Sequence, residues 1–188
     1  MPAITAVRGL SYTAGYLTAE EQQRLLATID GLPWLGDLRR RVQHYGYRYD
    51  YSRRSVYRDL YLGPLPDWAA ELAERLRLDG HVPRDLNQLI VNEYLPGQGI
   101  SPHVDCIPCF ADTVLSLSLG SACVMTLSRR DGGEPVDVLL EPGSLLVMSD
   151  QARYEWRHGI AARKSDVHAG RRVARGRRVS LTFRTVLA

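Results

Sequence analysis

Three residues of this sequence could together hold a metal ion. His103 and Asp105 are separated only by Val104, and residues at positions i and i+2 of a β-strand point to the same side. One imidazole and one carboxylate, completed by a distant histidine, form the facial triad that is typical of non-haem iron(II) oxygenases. Because a His-x-Asp pair alone is common, the third ligand decides whether this is a site.

His158 is the best candidate for that third ligand among the five histidines. His44 and His81 precede the strand-rich part of the chain, and His168 lies in an arginine- and glycine-rich loop. His158 ends a predicted strand and is followed by Gly159, so it could lie at the mouth of a barrel. These residues alone do not distinguish the site from a zinc site with two histidines and one aspartate.

A second group of polar residues lies near the end of the chain. By the strand period of two, four side chains of residues 178–184 share one face: Arg178, Ser180, Thr182 and Arg184. The opposite face is apolar, with Val179, Leu181 and Phe183. An exposed edge strand would explain two solvated arginines, but the apolar face argues against it. Because buried guanidinium groups require anions, we expect this face to bind a dicarboxylate such as 2-oxoglutarate.

The elements that must position these residues fall into two parts. Thr18 and Glu21 predict a capping box and a helix that runs to about residue 29. A second helix is predicted from residue 66 or 67 to about residue 78. From residue 88 onward, short strands alternate with turns, and the predicted strands are 88–94, 113–119, 122–128, 136–140, 144–148, 154–158 and 178–186. We therefore predict a mainly β fold with flanking helices, a double-stranded β-helix or jelly roll.

Length and composition favour one domain over residues 1–188, with the predicted helices in 1–87 and the jelly-roll core in 88–188. The sequence has no apolar run long enough to span a bilayer and no secretory signal. We expect a cytoplasmic monomer.

The net charge is +3 and only Lys164 of the 24 basic residues is a lysine. That arginine excess suits phosphate or carboxylate ligands, although codon bias would give the same result. The arginines of residues 171–178 are dense enough to suggest a phosphate-contacting rim.

Three cysteines are too few for a disulfide framework. Cys106 and Cys109 match the redox C-x-x-C pattern, but they lack the βαβ context of a thioredoxin-like site. We therefore do not assign them a redox role.

Residues 43–51 are dense in tyrosine and are flanked by arginines. The residues concerned are Tyr45, Tyr47, Tyr49, Tyr51, Arg53 and Arg54. The alternation fits an ordinary amphipathic strand pair, and it equally fits a surface on which a nucleobase stacks. The residues alone leave both interpretations open.

Five segments, in this order, resemble the AlkB family of iron- and 2-oxoglutarate-dependent oxygenases. They are Asn92-Glu-Tyr94-Leu-Pro-Gly97, His103-Val-Asp105, Ser116-Leu-Ser-Leu-Gly120, Arg153-Tyr-Glu-Trp-Arg-His158-Gly-Ile160 and Arg178-x-Ser-x-Thr-x-Arg184. The resemblance is strongest to the branch that includes the animal tRNA-modifying AlkB homologue, and it covers mainly the C-terminal half.

The resemblance implies a role for each matching residue. His103, Asp105 and His158 would bind iron(II). Arg178, with Tyr94 and Ser180, would hold the distal carboxylate of 2-oxoglutarate. Arg184 and Asn92 would hold the carboxylate beside the keto group, and dioxygen would take the last metal position. The tyrosine-rich segment would form a lid over a flipped base, with its arginines on phosphates.

The resemblance implies oxidative demethylation of alkylated bases in single-stranded DNA or RNA, with tRNA as a leading candidate. One departure concerns the base: well-known bacterial demethylases carry an acidic residue two positions after the iron-binding aspartate, where this chain has Ile107. Asp112 lies further on and is the alternative candidate. Hydroxylation of a modified tRNA base, a protein side chain or a small molecule by the same chemistry is the second hypothesis. A non-catalytic metal-binding module is the third, and the complete triad and both arginines argue against it.

Overall fold

The computed structural model describes residues 4–36 and 38–187. Helix α1 (Ala19–Asp30) begins with the predicted capping box, because Thr18 accepts from the Glu21 N–H and the Glu21 carboxylate accepts from the Thr18 N–H. Helix α2 (Asp67–Leu78) buries Leu72 and Leu76. Both predicted helices are confirmed. Among the residues described, no helix has the length and apolarity needed to cross a lipid bilayer.

Twelve strands form within the described residues. They are β1 (Leu10–Thr13), β2 (Val42–Tyr45), β3 (Gln88–Tyr94), β4 (Ile100–His103), β5 (Phe110–Gly120), β6 (Cys123–Arg129), β7 (Val136–Leu140), β8 (Leu145–Met148), β9 (Trp156–Ile160), β10 (Ser165–His168), β11 (Arg171–Ala174) and β12 (Arg178–Val186). A major sheet has the order β1-β8-β5-β12-β3-β2, a minor sheet has the order β4-β9-β6-β7, and β10 pairs with β11 in a hairpin. All pairings are antiparallel.

The major sheet separates two apolar clusters. On one face, Val179, Leu181 and Phe183 of β12 pack with the helices in the first cluster. The second cluster fills the space toward the minor sheet and includes Met125 and Trp156. The even-numbered residues of β12 therefore point into the interior between the two sheets, as the alternation predicted. This two-sheet arrangement confirms the predicted jelly roll.

The strand predicted over residues 154–158 is present, but it is shifted by two residues, to Trp156–Ile160. Residues Asp150–Tyr154 form a short helix, α3, and strand β9 begins only at Trp156. A single helical turn is too short to produce a periodic pattern, so alternation could not distinguish it from the start of a strand. Strands β1, β10 and β11 were not predicted. Strand β2 lies partly in the tyrosine-rich segment, for which a strand pair was one of two interpretations, and β4 contains His103, which was expected on a strand.

Candidate metal and cosubstrate site

The three predicted metal ligands come together at one end of the interior. His103 of β4 lies directly opposite His158 of β9 in the minor sheet. The Nε2 atoms of His103 and His158 lie 3.4 Å and 3.9 Å from Oδ1 of Asp105. One donor atom from each residue can be chosen so that all three lie within 4.8 Å of one another, which is close enough to hold a metal ion. Two imidazoles and one carboxylate are the donor set of a non-haem iron(II) site.

Neighbouring groups set the orientation and the protonation state of these side chains in a way that suits a bound cation. Nδ1 of His103 lies 2.8 Å from the Ser101 carbonyl oxygen, a contact that directs Nε2 toward the site. Burial lowers the pKa of His158 to about 4, so the ring is neutral at physiological pH. Burial alone would raise the pKa of Asp105, but the Arg184 guanidinium and the two histidines outweigh that effect and hold it well below the usual value. The carboxylate is therefore ionised, as a metal ligand must be.

The prediction that His103 and Asp105 share a strand is wrong for Asp105. Strand β4 ends at His103, and Asp105 lies in a connecting loop, residues 104–109, which we call the Asp105 loop. Pairing between β4 and β9 is already irregular between Ile100 and His103. Strand geometry therefore does not explain the position of the carboxylate.

Arg178 lies at the other end of the interior and is 2% exposed. Its Nη2 donates to Ser118 Oγ at 2.8 Å, and its guanidinium lies 5.4 Å from the centre of the Tyr94 ring. Within the described residues, its Nε–H has no hydrogen-bond partner. A buried guanidinium with a spare donor fits a carboxylate supplied by a ligand.

Arg184 lies at the metal end, and its Nε donates to Asp105 Oδ2 at 2.7 Å. Asn92 Oδ1 accepts from Arg40 Nε at 2.9 Å. One cavity brings the predicted cosubstrate residues and the two histidines together, and its lining includes Asn92, Tyr94, His103, His158, Arg178, Ser180 and Arg184. The residues present therefore fit both the metal and a dicarboxylate.

The four predicted substrate tyrosines do not act as one surface. Tyr49 stacks on Phe110 with ring centres 6.1 Å apart and meets Tyr51 edge-on at 5.1 Å. The Phe110 ring lies 5.0 Å from the Arg184 guanidinium, so Tyr49, and Tyr51 beside it, lie near the metal end. Burial and then the Asp105 carboxylate raise the pKa of Tyr49. Tyr47 contacts Tyr61 further out, at 4.9 Å.

Tyr45 is placed away from the site. In strand β2 it lies opposite Leu89, on the helix-facing side of the major sheet. Its ring packs edge-on against Trp68, and its hydroxyl donates to Gln43. Tyr45 therefore packs with the helix-facing cluster, away from the interior that brings the predicted metal ligands together, and we do not include it in the proposed site.

The remaining predicted substrate residues lie at the surface. Arg53 is exposed, forms an ion pair with Asp50 at 3.8 Å and lies 5.9 Å from the Tyr57 ring centre. Asp112 is exposed and accepts a hydrogen bond from Thr113. Both are therefore accessible to a ligand in solution.

The arginine-rich residues 171–178 do not form a continuous rim. Arg175 is buried against Asp166, and Arg177 binds Asp30 and Glu93. Of the five arginines, only Arg171 and Arg172 are exposed in the β10–β11 hairpin. Because Arg175 and Arg177 are paired with acidic residues, the density of arginine alone does not indicate a phosphate-contacting rim.

Three features of the site were missed by sequence reasoning. Arg40 contacts Asn92 and lies 5.8 Å from the Tyr94 ring centre. Arg153 is buried beside the Asp105 loop. Cys106 and Cys109 form a disulfide within that loop. Two signals were available: Arg153 belongs to a segment that resembled the AlkB family, and Cys106 and Cys109 matched the C-x-x-C pattern.

Comparisons with known proteins agree with this geometry. The family model described as the 2OG-Fe(II) oxygenase superfamily matches residues 35–184. An Arabidopsis thaliana protein named "Alkylated DNA repair protein ALKBH8 homolog" is 37% identical over 96% of this chain and 59% of its own length. A Xenopus tropicalis protein named "tRNA (carboxymethyluridine(34)-5-O)-methyltransferase alkbh8" is 40% identical over 85% of this chain and 26% of its own length.

The chain thus spans less than two thirds of either relative. The solved structure of OsALKBH1 superposes with a TM-score of 0.71 at 18% identity, covering 94% of this chain and 98% of that one, which shows a shared fold. This chain belongs to the 2OG-Fe(II) oxygenase superfamily, in its AlkB family, whose members use iron(II), 2-oxoglutarate and dioxygen.

Proposed function

We propose that this dioxygenase demethylates alkylated bases in single-stranded DNA or RNA, with tRNA as a leading candidate. In this proposal His103, Asp105 and His158 hold iron(II). An iron(II) ion held there would supply, with 2-oxoglutarate and dioxygen, the oxidant that hydroxylates a C–H bond, and 2-oxoglutarate would be converted to succinate and carbon dioxide. An N-methyl group hydroxylated in this way leaves as formaldehyde and restores the base.

The interior residues orient the cosubstrate. Arg178 pairs with the distal carboxylate through its spare Nε–H, beside the Tyr94 ring and Ser180. Arg184 and Asn92 hold the carboxylate nearer the metal. Arg184 already donates to the Asp105 carboxylate. Its guanidinium is therefore shared between Asp105 and the carboxylate of 2-oxoglutarate that lies nearer the metal.

The position of Tyr49 and Tyr51 is the observation that supports a nucleobase as substrate. These two rings meet at the metal end, and Tyr51 also contacts His44 edge-on at 5.7 Å. Aromatic faces beside an oxidising metal suit a base taken out of its stack. Tyr47 and the exposed Arg53 are proposed to contact the rest of the nucleotide chain, and Asp112 stays the candidate for an acidic residue that reads the base. The names of the two relatives above refer to DNA repair and to tRNA, which agrees with this class of substrate.

Hydroxylation of a modified tRNA base is the second candidate, and Ile107 favours it. This side chain is 45% exposed in the Asp105 loop, two positions after the carboxylate ligand. The bases 1-methyladenine and 3-methylcytosine carry a positive charge, which an apolar side chain does not neutralise. A neutral base such as a modified uridine has no such requirement.

The experiment that separates the two is a screen of single-stranded oligonucleotides and tRNA. Oligonucleotides with 1-methyladenine or 3-methylcytosine are incubated with iron(II) and 2-oxoglutarate, and formaldehyde and succinate are measured together. Formaldehyde equal to succinate supports demethylation. No formaldehyde, with tRNA nucleosides that gain one oxygen atom, supports hydroxylation. Succinate formation that no nucleic acid stimulates would contradict both.

A further inference from the structure

The Asp105 loop needs a support of its own. Asp105 lies beyond the end of β4, so the ladder that fixes His103 opposite His158 does not extend to it. Its carboxylate nevertheless approaches both imidazoles. Some other contact must hold the main chain of this loop.

Arg153 of helix α3 makes that contact. Its Nη1 donates to the Asp105 carbonyl oxygen at 3.0 Å and its Nη2 to the Cys106 carbonyl oxygen at 3.1 Å. Its Nε donates to the Ala111 carbonyl oxygen at 3.4 Å, at the start of β5. One planar guanidinium therefore connects the two ends of the loop, which is a geometry that lysine cannot reproduce.

Because Arg153 is buried, these three hydrogen bonds are the main compensation for removing its charge from water. The residue is 3% exposed. Among the described residues no carboxylate forms an ion pair with it, and its nearest aromatic ring is Tyr154, with a ring centre 5.0 Å away. Burial lowers the pKa of Arg153, while the charge of Asp105 acts in the opposite direction. A buried cation whose donors end on main-chain carbonyls orders the backbone that carries them.

We propose that Arg153 is a positioning residue that holds the main chain of Asp105, so that its carboxylate completes the metal site. Arg153 touches neither metal nor substrate in this account. The inference rests on the proposed role of His103, Asp105 and His158 as metal ligands.

Cobalt(II) binding by the metal-free, full-length chain tests the proposal. Cobalt(II) titrations followed by visible absorption give both an affinity and a spectrum that depends on ligand geometry. Arg153→Met and Arg153→Lys are compared with wild type. Arg8→Met is the matched control, because Arg8 contacts the same helix from the surface, through Asp150 at 2.6 Å, and does not reach the Asp105 loop.

We expect Arg153→Met to weaken cobalt binding by about 10- to 100-fold, the usual effect of losing a group that supports a metal ligand. We expect a smaller loss in Arg153→Lys and none in Arg8→Met. At saturating metal, the KM for 2-oxoglutarate should stay at the wild-type value in Arg153→Lys, because Arg178 is unaffected. General loosening of the fold would raise that KM as well, and this result would contradict a positioning role.

Wild-type cobalt affinity and spectrum in a folded Arg153→Met variant would overturn the proposal. If that variant does not fold, Arg153→Lys decides: unchanged affinity overturns the proposal, and weaker affinity at an unchanged melting temperature supports it. Failure of wild type itself to bind cobalt would instead contradict the proposed metal site.

Discussion

The two ends of strand β12 carry buried arginines in opposite electrostatic situations. Arg184, at the metal end, donates to Asp105 at 2.7 Å and therefore has an internal anion. Arg178, at the far end, has only the neutral Ser118 hydroxyl and the Tyr94 ring, and its Nε–H has no partner among the described residues. Both side chains point into the same interior.

This difference shows which end of the interior depends on a ligand. A buried ion pair is complete within the protein, and removal of one partner leaves an uncompensated charge. A buried cation without an anion is unfavourable until a ligand brings one. In our proposal the Arg178 end is therefore completed by the distal carboxylate of 2-oxoglutarate, whereas the Arg184 guanidinium already has an internal anion in Asp105.

The largest expected effect is on stability at the Arg184 end. Arg184→Met leaves the Asp105 carboxylate buried without its guanidinium, so the free energy of unfolding of the metal-free protein should fall by about 3 kcal/mol. Urea unfolding measures it. Arg178→Met removes a cation that has no internal anion and should not lower this free energy. Equal losses in the two variants would remove the contrast between the two ends.

The next effect is on cosubstrate binding at the Arg178 end. Arg178→Met should raise the KM for 2-oxoglutarate by about 100-fold, because the distal carboxylate loses its buried partner. Arg177→Met is the matched control: the neighbouring arginine binds Asp30 and Glu93 outside the interior and should leave this KM unchanged. An unchanged KM in Arg178→Met would contradict the assignment.

The ion pair between Asp166 and Arg175 lies outside the interior and has both of its charges. We expect it to add about 2 kcal/mol to the free energy of unfolding, and we expect this contribution to depend on pH. Burial alone would raise the pKa of Asp166, but hydrogen bonds from Arg175, the Val124 N–H and Arg163 lower it to about 2. A carboxyl whose folded pKa lies below its unfolded value of about 3.9 adds stability above that value and loses it as the pH falls toward 2.

The check is urea unfolding of wild type and Asp166→Asn between pH 6 and pH 2.5. Wild type should be the more stable protein at pH 6, and the difference should shrink below pH 4. A difference that stays constant over this range would show that the charge of Asp166 does not contribute.

The smallest expected effect concerns the aromatic pair at the Arg184 end. Tyr49→Leu should weaken binding of a single-stranded oligonucleotide substrate by about tenfold, the loss of one base–aromatic stacking contact. The KM for 2-oxoglutarate should not change. Tyr45→Phe is the control, because this ring lies on the helix-facing side of the major sheet. Equal losses in both variants would contradict a stacking role for Tyr49.

Sequence reasoning succeeded where one strand period determines orientation. The alternation in β12 was enough to predict that Arg178 and Arg184 face the interior, because Val179, Leu181 and Phe183 must pack on the other side. Strand β3 was predicted from the succession of short strands and turns, whereas the cosubstrate roles of Asn92 and Tyr94 came only from the resemblance to the AlkB family. The start of helix α1 was predicted correctly because its capping box involves only Thr18 and Glu21, which are three residues apart.

Features that depend on contacts between distant residues were not predicted. The Asp105 loop is held by Arg153, which is 48 positions later in the chain, and the Arg175 side chain is turned inward by Asp166. Tyr45 and Tyr49 belong to one sequence pattern but lie in different environments, because β2 ends at Tyr45. Periodicity contains no information about where such a strand ends or which partner it meets.

Anaerobic absorption spectroscopy tests the central claim most directly. Iron(II) and 2-oxoglutarate are added without oxygen to wild type, His103→Ala and Arg178→Met. Chelation of iron by 2-oxoglutarate produces a visible metal-to-ligand charge-transfer band. We predict this band in wild type, its loss in His103→Ala, and its appearance in Arg178→Met only at higher 2-oxoglutarate concentration. A band of wild-type strength in His103→Ala, or no band in wild type, would contradict the assignment of His103, Asp105 and His158 as the iron ligands.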